Sequence, residues 1–211
     1  MIIHQIFGLL GDIEMNDLFK KSSEKFQDFC KKNKYKYMLW TPNMCDELIT
    51  EYPNYTRMYY SVKYSIMKVD IIRFIILHKY GGLYADLDIY PNIDKLKQHK
   101  IIVSEQNDKR KLIEMEVLQS DKNNPLLLNY LDYVESQIEQ KEKIDSYKQW
   151  KMRYVYQTTG PFSLQRFIKK KPDIEKYIIN VPKNYKNNIS LNLKGNEDFI
   201  SFPSCSYKDK M

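Results

Sequence analysis

Asp86 and Asp88 stand two apart in the run Tyr-Gly-Gly-Leu-Tyr-Ala-Asp-Leu-Asp-Ile-Tyr that begins at Tyr80. In an extended segment this spacing turns both carboxylates to one side of the strand end, the arrangement that grips a single divalent ion. Carboxylate oxygens are hard ligands suited to Mg²⁺ or Mn²⁺, which keep positions open for water and phosphate oxygens. An ion held there neutralises the charge that builds on a departing diphosphate. An aspartate pair at this spacing also arises by chance, as a turn or a cap. Here the pair follows an apolar strand, which itself follows a helix closed by Gly81 and Gly82, and that context favours the metal reading. Two like charges side by side repel, a cost that a cation relieves.

Asp70 and Arg73 are three apart on the preceding helix and so share a face within the apolar run Val-Asp-Ile-Ile-Arg-Phe-Ile-Ile-Leu. The bland explanation is a local ion pair. A charged pair in such surroundings carries a desolvation cost, and a ligand site accounts for it more readily. Arg73 can donate to a phosphate or a sugar hydroxyl, and Asp70 can accept from sugar hydroxyls. Tyr84, two before Asp86, shares the face of the aspartates.

These residues need a scaffold, and the patterning supplies one. Ile2 to Phe7 reads as a buried strand stopped by Gly8 and Gly11. Asn16 caps a helix with Phe19, Phe26, Phe29 and Cys30 at helical spacing, and Tyr35 to Trp40 reads as a second strand. Thr41-Pro42 opens a helix. Lys63 to Tyr80 is the clearest helix, and a strand through Leu83, Tyr84 and Ala85 follows at once. Ile101 to Glu105 and Glu114 to Gln119 are further strand candidates, the second also tolerating a helical reading. Asn124-Pro125 opens a helix to about Gln140, Pro161 opens another, and strands near Ile178 to Val181 and Phe199 to Phe202 complete the alternation. Such a chain builds an α/β fold with a mostly parallel sheet flanked by helices, and its ligands gather at the carboxyl ends of strands.

The 211 residues fit a single domain around one cleft. A hydrophobic fraction of 43% and a charged fraction of 29% describe a globular chain. The net charge of +7 favours anionic partners without choosing among them. Cys30, Cys45 and Cys205 are odd in number, widely spaced and without any C-x-x-C, which suggests neither a disulfide framework nor a cysteine metal site and fits a reducing cytoplasm. No stretch approaches the roughly 20 apolar residues of a membrane span, so no transmembrane segment is expected. The Lys/Glu-rich stretch Glu135 to Lys148 reads as a solvated helix face and loop. His4 and His78 read as structural.

With those residues in view, the chain resembles the D-x-D sugar transferases grouped as glycosyltransferase family 32, the initiation-type mannosyltransferases and capsular sugar transferases among them, and more distantly the large clostridial glucosylating toxins. The resemblance rests on IIHQIF at the N-terminus, on KVDIIRFIILHKYGGLYADLD and on TTGP at Thr158 to Pro161. It covers the first half well and the second half loosely. It implies a GT-A type nucleotide-sugar-binding fold, a UDP- or GDP-sugar donor, Mn²⁺ or Mg²⁺, and transfer of a hexose with retention to a glycan or glycolipid acceptor in carbohydrate biosynthesis. Carried over by position, Asp88 ligates the metal, Asp86 bridges metal and ribose, Tyr84 lines the donor site, and Asp70 and Arg73 hold the donor sugar. Phe7 stands where the family has a base-stacking Trp, and its smaller ring can still stack on a pyrimidine. The family's C-terminal metal and diphosphate element has no direct match: either Ser204 or Ser206 stands in for it, or the chain is shortened, or the metal is bound more weakly. The donor-binding half is then about 1–105 and the acceptor side 106–211, with peripheral membrane contact and no nucleic acid among the partners.

Rival chemistries exist. An EF-hand loop fails because Pro91 and Lys97 occupy the places that need Gly and Glu. An Asp-nucleophile phosphatase fits the aspartate pair but expects Thr or Val where Tyr90 stands. A basic nucleic-acid-binding module fits the charge, yet the lysines are dispersed.

Overall fold

A computed structural model describes residues 1–96, 101–105, 113–143, 150–171, 177–180 and 199–201, with side chains of 101–105 and 177–180 left aside. Strand β1 (Ile2–Ile6) leads to helix α1 (Asp17–Asn33) and strand β2 (Lys36–Trp40). Asn16 caps α1 by accepting from the Phe19 amide, and Lys34 closes it in the left-handed conformation. Thr41 caps α2 (Pro42–Thr50), with Pro42 in the first turn. Helices α3 (Pro53–Ser61) and α4 (Ser65–Tyr80) precede β3 (Gly82–Ala85), β4 (Ile89–Pro91), β5 (Ile101–Glu105) and β6 (Ile113–Ser120). Helices α5 (Pro125–Glu142), α6 (Lys151–Thr158) and α7 (Pro161–Lys169) and strands β7 (Tyr177–Asn180) and β8 (Phe199–Ser201) follow.

Six strands form one sheet in the order β2-β1-β3-β6-β5-β7, and β4 pairs with β8 in a second, two-stranded sheet. The large sheet is mixed: β1 runs parallel to β2 and β3, β5 runs parallel to β7, and β6 runs antiparallel to both of its neighbours. Glu114 to Gln119 therefore lies in a strand, so the helical alternative fails. Short helices α3 and α6 and the three-residue β4 have no counterpart in the sequence pattern.

Alternation along the strands splits the core. On one face Ile3, Leu83, Ala85 and Val117 pack against Phe26, Phe29 and Cys30 of α1 and against Ile89 and Phe199 of the small sheet. On the other, Ile6, Tyr84, Met115 and Leu118 pack against α2 to α7. Helix α4 is buried on all sides from Val69 to Leu77, apolar there except for Asp70 and Arg73, as a helix enclosed by its neighbours must be. At its end Gly81 and Gly82 adopt φ of 64° and 102°. A Cβ at Gly82 would overlap the Ile2 carbonyl oxygen, so only glycine lets β3 lie this close to β1. His4 ties the same junction: Nε2 donates to the Gly81 carbonyl at 2.9 Å while Nδ1 accepts from the Trp40 indole at 3.1 Å. Burial lowers the His4 pKa to about 4, so the ring is neutral and structural. His78 likewise pairs with the Tyr52 hydroxyl at 2.8 Å.

Candidate active site

Parallel β1 and β3 end at the same edge of the sheet, and there the chain opens a cleft of about 650 Å³, its solvent mouth included. Phe7, Gly8, Leu9 and Leu10 form one wall beyond β1, Ile66, Val69 and Arg73 of α4 form another, and Tyr84, Asp86 and Asp88 close the end of β3. Beyond Ala85 the chain turns, with the Ile89 amide donating back to the Asp86 carbonyl at 3.1 Å. The two aspartates thus face one cleft because a tight turn presents them, not because a strand continues through them.

Asp86 is fixed on several sides. Its amide donates to the Glu116 carbonyl of β6 at 2.8 Å, its Oδ1 accepts from the Tyr84 hydroxyl at 2.6 Å, and Arg73 Nη1 lies 3.4 Å from the same oxygen. The Arg73 guanidinium sits 4.7 Å above the Tyr84 ring. It also donates to the carbonyls of Val69 and Met115, at 3.2 and 2.7 Å, and to Asp70 Oδ1 at 3.1 Å. Burial works against this cation, but Asp86 leads the groups that hold it and its pKa moves up. Burial keeps the Tyr84 hydroxyl protonated far above its ordinary range.

Asp70 does not line the cleft. It lies behind Arg73, 7% exposed, and the Thr159 hydroxyl donates to its second oxygen at 2.7 Å. The Tyr130 hydroxyl in turn donates to the Thr159 carbonyl at 2.8 Å. Burial pushes the Asp70 carboxyl up to about 6, against the pull of Arg73 and Thr159. The local ion pair is therefore real, and it also carries Arg73 to the cleft. Thr159 belongs to the TTGP segment, so its sequence signal existed, although spacing alone did not link it to Asp70. Ser204 and Ser206 lie outside the described residues.

The residues suit a hard divalent ion. Asp86 and Asp88 supply carboxylate oxygen in one cleft, and among the described residues no cluster of three or more His, Cys, Asp or Glu encloses a metal. A two-carboxylate donor set leaves coordination positions for phosphate oxygens and water, as Mg²⁺-type sites do.

Residues 16–108 match the family described as glycosyltransferase sugar-binding region containing DXD motif, which bears out the resemblance read from the sequence. A segment of 56 residues, 26% of this chain, is 46% identical to inositol phosphoceramide mannosyltransferase 3 of Schizosaccharomyces pombe. A segment of 55 residues is 49% identical to mannosyl phosphorylinositol ceramide synthase SUR1 of Saccharomyces cerevisiae. The matched stretches span 16% and 14% of those proteins. Among solved structures, PaToxG glycosyltransferase superposes with a TM-score of 0.56 at 17% identity over 81% of this chain and 69% of its own, which establishes a shared α/β fold.

Proposed function

We propose that the protein is a retaining glycosyltransferase that moves a hexose from a UDP- or GDP-sugar to a carbohydrate or glycolipid hydroxyl, with Mn²⁺ or Mg²⁺ at Asp86 and Asp88. The observation that carries this reading is that both aspartates line one cleft with Phe7 and Arg73, Asp86 being held there by Tyr84. The ion, when bound, would neutralise diphosphate charge as the glycosidic bond breaks.

This chain's own residues divide the remaining work. Phe7 offers a ring face to the base from the end of β1. Asp88 and Asp86 would hold the ion, and Asp86 would also face the ribose, its carboxylate being aimed by Tyr84 and Arg73. The Arg73 cation, backed by Asp70, lies against the sugar and diphosphate and stabilises negative charge in a partly dry wall. The acceptor hydroxyl attacks from the leaving-group side, and the departing phosphate takes its proton. All these positions fall within 1–105, which leaves 106–211 to shape the acceptor side.

The yeast relatives are named for mannose transfer to inositol phosphoceramide, which puts mannose first among donors and a glycolipid, met through peripheral membrane contact, first among acceptors. No helix among the described residues is long and apolar enough to cross a membrane. A cytoplasmic location is part of the proposal: Cys30 and Cys45 are free, buried thiols that burial pushes up to about 11 and about 12, a state compatible with a reducing compartment.

The test is a panel of UDP- and GDP-sugars incubated with purified protein and Mn²⁺ or a chelator. Release of nucleoside diphosphate from one donor, abolished by the chelator, is expected. Release indifferent to chelation, or none from any sugar, contradicts the reading.

A further inference from the structure

The turn that presents Asp86 and Asp88 is braced from beneath by a chain of buried polar side chains on the opposite face of the sheet from Arg73. Gln5 Nε2 donates to the Asp86 carbonyl at 3.2 Å and to Ser22 Oγ at 3.1 Å. Ser22 Oγ donates to the Ile89 carbonyl at 2.5 Å. The two contacts fall on the first and last residues of the turn, which the Ile89 amide already closes onto Asp86. Gln5 and Ser22 are both 0% exposed.

The order of donors is fixed along the network. Tyr37 donates its hydroxyl hydrogen to Gln5 Oε1 at 2.8 Å, which leaves Ser23 to donate to Tyr37 at 2.8 Å, and Gln27 donates to Ser23 at 3.1 Å. Every hydrogen therefore points toward the turn, and the chain ends on two backbone carbonyls, which accept only. The register makes this possible: β1 lies parallel to β3 with His4 opposite Tyr84, so Gln5 falls beside the end of β3, and α1 crosses below with Ser22 and Ser23 inward.

A packed sheet does not need this. Apolar side chains occupy the neighbouring positions of the same layer, Ile3, Phe26 and Phe29 among them, and a buried amide and hydroxyl there are tolerated only when satisfied. The geometry points to Gln5 and Ser22 as positioning residues for the metal ligands: they hold the Asp86 and Ile89 carbonyls, and so fix the relative orientation of the two carboxylates that would hold the ion. Loss of either lets the turn relax and spreads the carboxylates over several orientations. Outer partners of this kind commonly set metal affinity by about 10- to 100-fold.

This inference rests on the proposed metal site, and the experiment separates the two. Mn²⁺ is titrated by calorimetry into wild-type protein, Gln5→Met, Ser22→Ala and Thr56→Val, each with saturating UDP and, in parallel, GDP. Thr56→Val is the control, since the Thr56 hydroxyl bonds to the carbonyls of Ile49 and Tyr52, remote from the turn. Thermal midpoints in chelator are measured beside them. About a tenfold or greater loss of Mn²⁺ affinity is expected for Gln5→Met and Ser22→Ala, with Thr56→Val at the wild-type value even where its thermal midpoint falls as far. Should Gln5→Met fail to fold, Ser22→Ala decides alone, because it only removes one oxygen. Wild-type affinity in a folded Ser22→Ala overturns the inference, as does an equal loss in Thr56→Val. Absence of Mn²⁺ binding by the wild type with either nucleotide overturns the metal site itself, and the inference with it.

Discussion

Tyr84 donates its hydroxyl hydrogen to Asp86 at 2.6 Å across two residues of the same strand end, while the face of its ring carries the Arg73 guanidinium at 4.7 Å. One side chain thus aims a carboxylate and supports the cation beside it. Tyr84→Phe keeps the ring and deletes the donor. Donor turnover, measured as kcat/KM, should fall about tenfold, the effect of one lost hydrogen bond to a charged group. The midpoint for Mn²⁺ activation should rise, with thermal stability changed by less than about 2 kcal/mol. Unaltered metal dependence would mean that Asp86 is held adequately without the phenol.

Asp70 predicts an acid limb for activity. Its carboxyl, pushed up to about 6 by burial, must be ionised to hold the charge of Arg73. Turnover of donor should therefore fall as pH drops through about 6. The Thr159 hydroxyl stabilises the anion, so Thr159→Val should move this limb to higher pH, and Thr159→Ser should restore it. A limb that stays in place in Thr159→Val separates Asp70 from the observed titration.

His4 predicts an acid-sensitive fold. Its pKa is about 4 when buried and about 6.5 in an unfolded chain, so below pH 6.5 the unfolded state binds the extra proton and stability is lost as pH falls towards 4. Between pH 7 and pH 5 this group alone removes roughly 2 kcal/mol. Asp70, whose pKa is raised in the fold, acts with the opposite sign over a similar range, so the wild-type curve blends both. Denaturant unfolding of His4→Gln isolates the histidine: the variant should be less stable at pH 7, with the gap to wild type narrowing by roughly 2 kcal/mol at pH 5. A gap independent of pH excludes a neutral buried ring.

The glycines give a test of the backbone. Gly82, at φ 102° and against the Ile2 carbonyl, has no room for a methyl group, whereas Gly11, at φ 86°, has no atom within 4 Å of its missing Cβ. Gly82→Ala should cost on the order of 3 kcal/mol or more, or prevent folding, and Gly11→Ala about 1 kcal/mol of conformational strain. Similar costs at the two positions would place the β1–β3 approach in error.

Much of the scaffold is legible from residue types. Asn16 and Thr41 announce helix starts, and Gly81-Gly82 announces the sharp entry into β3, because capping and positive φ restrict the choice of residue. The D-x-D pair and the Asp70–Arg73 spacing mark the cleft for the same reason: charge in an apolar run is costly. The reversal of β6 is not legible, since pairing direction depends on where a chain returns and leaves no local trace. The links from Thr159 to Asp70 and from Gln5 to Asp86 span 89 and 81 residues, and no periodicity reports a contact of that separation.

The most direct measurement is Mn²⁺ binding by Asp88→Asn in the presence of saturating nucleoside diphosphate, compared with wild type. An amide in place of the carboxylate keeps size and removes charge, so the variant should fold and lose Mn²⁺ affinity by at least about tenfold, and with it metal-dependent donor cleavage. Equal Mn²⁺ binding and equal cleavage by wild type and Asp88→Asn would contradict the metal role of Asp88.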